Sequence, residues 1–171
     1  MQNWLPAPKA AQPATAQSGV LTLVVKPRRR AASHNAVMES LRGQLLVAAP
    51  DLLDPNFRRT VILVGEHGDE GAMGVVLNRP SPLTVDVAVP PLAGLVEGGE
   101  LVHVGGPVQS QAIVVLGDFH DPAEAAALVV GSVGFLRGEI ESAEDVGELE
   151  RARVFAGYAG WGPGQLEGEI A

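Results

Sequence analysis

The stretch that decides the fold is "TVILVGEHGDEGAMGVVLNRP", Thr60 to Pro80. It holds two apolar runs, Thr60 to Glu66 and Ala72 to Asn78, each rich in Val, Ile or Leu and too short for a stable helix, so both read as strands. Between them "HGDEG" supplies Gly68, Asp69 and Gly71, residue types that accept the positive φ of a hairpin loop. The reading is a pair of antiparallel neighbours joined by a loop of several residues. Pro80 ends the second run, because proline has no N–H to give to a ladder.

The same grammar extends in both directions. "QLLVA", Gln44 to Ala48, reads as a third strand, and "PDLLDPNFRRT" between it and Val61 reads as a turn or a single helical turn, given Pro50, Asp51, Asp54, Pro55 and Asn56. Thr84 offers a helix N-cap with Asp86 in the first turn, and Pro90 with Pro91 limits that helix. "ELVHV" and "AIVVLGDF" resume the strand pattern on either side of "GGPVQSQ", a turn whose backbone Gly105, Gly106 and Pro107 fix. Ser142 with Asp145 approximates a capping box ahead of Val146 and Leu149, so "SAEDVGELERA" predicts a short helix. "RVFAGYAG" is a strand, and "PGQLEGEIA" opens a helix behind the corner "GWGPG". Strands and helices alternate without a βαβ rhythm, which predicts a single α+β domain around a curved, mostly antiparallel sheet with short peripheral helices.

Composition narrows the function classes. Apolar residues make up 46% of the 171 residues and aromatics 4%, so the core is built from Val, Leu, Ala and Ile. The absence of Cys removes disulfides, thiolate nucleophiles and thiolate metal sites. The longest apolar run, Gly19 to Val25, is far below the roughly 20 residues of a membrane helix, and it precedes its basic cluster "KPRRR" where a secretory signal would follow it. A soluble intracellular protein is the expectation.

Charge divides the chain. Residues 1–37 carry five positive charges and no acid, and with their Ala, Pro, Gln and Ser they read as a disordered basic tail ahead of Met38. A nucleic-acid arm, a transit peptide, or a start assigned upstream of a natural start at Met38 are the other readings of that tail. Residues 38–171 hold twenty acids against seven arginines, a net −13 that repels phosphate backbones.

The chemistry-bearing motifs are few. "GYAGWGPG" ahead of a helix has the outline of an anion cradle, but it lacks the Lys and Ser/Thr of a phosphate loop, and Glu167 and Glu169 already occupy the helix start. It reads as a corner over which Trp161 packs. "HGDE" at 67–70 and "HDPAE" at 120–124 place imidazoles near carboxylates, yet chelation needs three or four converging ligands, so both read as solvated turns and no metal is expected. No serine sits in a nucleophile elbow, and no pair among the twenty acids is singled out, so no catalytic residue and no cofactor are expected. "LNRP" is different, because Arg79 is one of seven cations in an acidic body. It reads either as the partner of a carboxylate or as the positive anchor of a cleft near "GGPV" and "GWGPG". The candidate binding set is Asn78, Arg79, Gly105, Gly106, Pro107, Trp161 and Gln165.

Three segments, "GQLLVAAPDLLDPNFRRTVILVGEHGDEGAMGVVLNRP", "VGGPVQ" and "GYAGWGPGQLEGEI", resemble in order and spacing the bacterial AlgH/YqgE family, from about Glu39 to Ala171. The resemblance implies a single cytoplasmic domain with a coiled, partly barrel-like sheet, a transcriptional-regulator label, and no established reaction or catalytic residues. Members of that family continue beyond the helix begun at Gln165, so the resemblance also implies that the chain lacks its last C-terminal elements at Ala171, and that a longer chain would melt higher. The function expected is that of a non-enzymatic regulatory or interaction protein binding a protein or small ligand. A direct DNA-binding regulator and a hydrolase or metal-dependent enzyme are the alternatives.

Overall fold

Alternate residues of the strand Val61–Gly68 face different cores. Ile62 and Val64 belong to one buried cluster and Leu63 to another, while a Cβ on Gly65 would run into the ring of Phe135. A strand buried on both faces has no polar side to show, and this explains the unbroken apolar run in its sequence.

The computed structural model describes residues 21–23, 40–136 and 142–170. Its strands are β1 (Leu21–Leu23), β2 (Leu45–Ala48), β3 (Val61–Gly68), β4 (Gly71–Val76), β5 (Pro80–Thr84), β6 (Leu101–Val104), β7 (Val108–Phe119), β8 (Ala127–Val130), β9 (Val133–Phe135) and β10 (Leu149–Trp161). Two short helices, α1 (Val85–Ala88) and α2 (Gln165–Ile170), and three 3-10 turns complete it. Strand order is β1-β2-β3-β4-β10-β7-β9-β8, with β5 joined to β6 and β6 to β10. All pairs are antiparallel except β6 with β10. The domain is α+β, and its mostly antiparallel sheet curls into a half-barrel.

β10 is the spine of the sheet. Its first part pairs with β7 from Leu149 to Tyr158, its middle lies parallel to β6 at Phe155 and Ala156, and its end pairs with β4 from Ala159 to Trp161. The curl encloses Leu45, Leu63, Val75, Val114, Leu116, Val129, Phe135 and Phe155, contributed by seven strands. Two further cores lie outside it. Leu46, Ile62, Val64, Val76, Ala159 and Trp161 pack under α2, whose Leu166 is fully buried. On the other flank Val102, Val115 and Val154 pack under α1 and the 3-10 turn Pro90–Leu95, through Val85 and Leu92.

The curl closes where Phe135 lies over Gly65 and where Val129 O approaches Gly43. Gly65→Ala is therefore expected to cost about 1–3 kcal/mol through overpacking. Because the obstacle is a ring and not backbone, a double-mutant cycle with Phe135→Leu in urea is expected to return a favourable coupling. Purely additive losses would show that the two groups do not meet.

Some elements differ from expectation. The β3–β4 pairing continues to Gly68 opposite Gly71, so the loop shrinks to Asp69 and Glu70, and the surplus residue is absorbed by a bulge between Val64 and Glu66. "SAEDVGELERA" is helical only in the 3-10 turn Ala143–Asp145, although Ser142 Oγ does accept the Glu144 N–H at 3.2 Å. From Leu149 onward the long pairing with β7 overrides the local helical pattern. Thr84 caps α1 without a side-chain hydrogen bond. β5, β8 and β9 carried no strand signal that stood out, and β5 contains Pro80 and Pro82. Within the tail read as disordered, Leu21–Leu23 forms β1 against β2, whereas residues 1–20 and 24–39 lie outside the described residues.

Candidate functional site

The turn "DPNFRR" folds so tightly that its carbonyls leave the ladder, and Arg59 sits at φ 56°. Each of those carbonyls nevertheless has a donor. Asp54 O accepts from the N–H of Phe57 and of Arg58, and Phe57 O accepts from Thr60 Oγ1 at 2.6 Å. Pro55 O and Arg58 O both accept from Arg79 Nη2, at 3.0 and 3.1 Å, and Asn56 O from Arg79 Nη1 at 2.7 Å. Arg59 O accepts from Asn78 Nδ2 at 2.9 Å, while Asn78 Oδ1 accepts the Val61 N–H at 2.9 Å. "LNRP" is thus the donor set of a turn some twenty residues upstream. Neither reading of Arg79 from the sequence holds: its guanidinium serves three backbone carbonyls, so it is neither a carboxylate's partner nor an open anchor.

The clamped turn holds Phe57 over Trp161, with ring centroids 6.2 Å apart and planes 22° from parallel. Trp161 is 5% exposed, and its Nε1 donates to Glu169 Oε2 at 3.0 Å. Gln165 spans the corner, accepting the Gly162 N–H at 3.0 Å and donating to Glu169 Oε1 at 3.1 Å. Two strands across from Trp161, on β3, His67, its side chain 3% exposed, accepts the Leu41 N–H at Nδ1 and therefore carries its proton on Nε2, 2.8 Å from Glu167 Oε1. α2 is held by this polar rim around a buried Leu166. The reading of His67 as part of a solvated turn is corrected by its buried side chain, and Glu169, read only as charge at the helix start, proves to be the acceptor of Trp161; pairs 100 and 8 residues apart leave no local pattern that would show either role.

Gly105 and Gly106 cross β10 at its bulge. Val76 N–H donates to Gly105 O at 2.8 Å and Gly105 N–H to Ala156 O at 2.9 Å. A Cβ on Gly106 would fall within the backbone of Tyr158 and Ala159. Pro107 then starts the turn into β7. Of the seven candidate residues, Trp161 lies beside Ala72 at one end of β4 and Gly105 accepts from Val76 at its other end, while Asn78, Pro107 and Gln165 are exposed.

His103, next to this crossing, is buried against Phe155, with its Nδ1–H donated to Leu101 O at 3.1 Å. Burial, and secondly the Arg153 charge, lower its pKa from 6.5. Below pH 6.5 the unfolded chain takes a proton that the folded chain refuses, so stability falls as pH drops from 6.5 towards the lowered value, and is unaffected above it. The melting temperature is expected to fall more between pH 7.5 and 5.5 in the wild type than in His103→Gln. Parallel profiles would refute the assignment.

Other groups are modest. Ser132 Oγ donates to Asp118 Oδ1 at 2.6 Å, and His120 lies 3.9 Å from Glu150 on the surface. Among the described residues no three His, Asp or Glu side chains converge as metal ligands. An open depression of about 340 Å³ at the β3–β4 turn is lined by Ser40, Arg42, Glu66, His67, Asp69 and Glu70, among others. Among the described residues no helix is long and apolar enough to cross a membrane. On the outer face beside Gly105, Val104 and Ile113 are 42% and 41% exposed, and both align with Ala156 of β10.

The model of the AlgH-like family, DUF179, matches residues 45–171. This chain belongs to the AlgH-like family. A UPF0301 protein of Streptomyces avermitilis is 42% identical over 139 residues, covering 78% of this chain and 72% of that one. Another, from Rhodococcus jostii, is 39% identical over 150 residues, covering 85% and 74%. Among solved structures, a crystal structure of a Corynebacterium diphtheriae protein superposes with a TM-score of 0.68 at 30% identity, over 80% of this chain and 74% of that one. The solution structure of the AlgH protein from Pseudomonas aeruginosa gives 0.57 at 30% identity, over 81% and 76%. The residues that make the AlgH-like motifs recognisable in this chain, "LNRP", "GGP" and "GYAGWGPGQ", are those that clamp the turn, cross the spine and seat α2.

Proposed function

We propose that this AlgH-like protein is a non-enzymatic regulatory protein of the cytoplasm that acts by binding a protein partner. The observation that carries the reading is the pair of exposed apolar side chains Val104 and Ile113, which flank the half-buried Ala156 on one sheet face and leave apolar surface that a partner protein can cover. Asn78, Arg79, Gly105, Gly106, Pro107, Trp161 and Gln165 then act as the frame that keeps the sheet in shape. A net charge of −13 over residues 38–171 weighs against direct binding to DNA.

Affinity capture from native lysate, with and without nuclease, tests the reading. A protein recovered in stoichiometric amount and resistant to nuclease is the expected result. Nuclease-sensitive material alone would transfer the function to nucleic acid. Background alone, together with turnover in a hydrolase screen of the purified protein, would make it an enzyme.

A further inference from the structure

β2 keeps its place without β1. Ala48 N–H donates to Thr60 O at 3.0 Å and Val64 N–H to Gln44 O at 2.9 Å, so the even-numbered residues of 44–48 turn their main-chain groups to β3. Upstream, Gly43 N–H reaches Val64 O at 2.8 Å and Leu41 N–H reaches His67 Nδ1 at 3.1 Å. Val47 alternates with Leu46 and Ala48, and its N–H and C=O therefore point to the other side of the strand, where Thr22 lies opposite. β2 thus has an inner edge fixed on β3 and an outer edge whose hydrogen bonds go to β1.

β1 holds that outer edge by little. It is three residues long, Leu21–Leu23, and 21 residues separate it from Leu45, where β2 begins. Keeping the ends of so long a connection together costs entropy comparable with what so short a ladder returns. β1 also lies outside residues 45–171, the part of the chain that the family model matches. The segment therefore opens far more often than the sheet beneath it.

The present occupant shows what the edge accepts: an extended Leu-Thr-Leu run, antiparallel to Leu46–Ala48 and held through its backbone. Another extended segment of that kind satisfies Val47 equally, and an edge already in place binds it without reordering β2. We infer that the outer edge of β2 is a strand-acceptor site for an extended apolar segment of a partner protein, occupied in the free chain by its own Leu21–Leu23, which the partner's strand displaces. The inference rests on the interaction reading above for the existence of a partner, and it adds a second contact, with β3 and β4 between it and the spine β10.

The test uses the full chain, its Thr22→Pro variant, and a fluorescein-labelled peptide of residues 19–30 beside the same peptide carrying Thr22→Pro. Proline removes the N–H that faces Val47, and both peptides keep the same four basic residues, so a difference between them reports the ladder and not the charge. In anisotropy at about 150 mM salt the unmodified peptide is expected to bind the Thr22→Pro chain at least about tenfold tighter than it binds the wild type, whose edge is self-occupied. It should also bind that variant at least about tenfold tighter than the proline peptide does. Hydrogen exchange adds a readout free of mutation: in the wild type the Val47 amide should exchange at least about tenfold faster than that of Ala48, which bonds to β3. Equal exchange at the two amides would show that β1 does not open alone, equal affinity for the two chains that β1 does not fill the edge, and equal affinity of the two peptides that no ladder forms; each overturns the inference. So would a wild-type dimer in sedimentation that Thr22→Pro dissolves, since β1 would then belong to a second copy. In capture from native lysate the Thr22→Pro chain is expected to retain more of the partner than wild type. Equal recovery would remove the partner from this edge and leave the interaction function standing, whereas recovery of nothing by either chain would end the interaction reading itself.

Discussion

Arg79→Ala is expected to lower stability by about 2–3 kcal/mol, read as a lower urea midpoint at an unchanged slope. The estimate follows from three hydrogen bonds from one cation to Pro55, Asn56 and Arg58, reduced because these residues are exposed enough for water to replace part of what is lost. Arg79→Lys is expected to recover less than half, since one ammonium cannot fork across three carbonyls spaced along a turn. Trp161 reports the same event, because the released turn also frees Phe57 from its ring. An Arg79→Ala protein as stable as wild type would mean that the turn holds its shape without the clamp.

A larger effect is expected at the crossing. Gly106→Ala places a methyl group within the backbone of Tyr158 and Ala159, where no side chain can move aside. Relief requires β10 to separate from the "GGP" segment, with loss of the Gly105 N–H bond to Ala156 O. The expected cost exceeds about 4 kcal/mol, enough to leave little folded protein at 37 °C. Soluble expression with an unchanged melting curve would refute the crossing geometry. Gly164, with φ 71° and open space around it, is the matched control: Gly164→Ala should cost only about 1 kcal/mol.

These residues show what the sequence could and could not reveal. Strand runs such as Ile62 to Val64 were legible because a short unbroken apolar run bounded by turn residues needs no knowledge of partners to be read, and "GGP" was legible as demanding backbone. Arg79 was legible as unusual but not as a clamp, since its acceptors are main-chain atoms that every residue possesses. β5 was missed because its prolines argue against a strand, and it escapes that argument by pairing only with β6. The helix predicted after Ser142 was read correctly for one turn, and the rest was lost to a strand whose partner, β7, begins forty-one residues earlier. The exposed pair Val104 and Ile113 required the register, because alternation tells which face a residue takes and nothing about whether that face is covered.

The position of β10 has a kinetic consequence. It sits in the middle of the sheet, yet it is made after the nine other described strands, and its pairing with β4 joins residues more than eighty positions apart. Closing such loops before their contacts are gained makes folding slow for the size of the domain. Until Trp161 has left the ribosome, β4, β6 and β7 have no common neighbour, and their apolar edges stay open to other chains. The half-barrel is thus committed all at once and late, and its nascent form is the state in which the cell's chaperones would meet it.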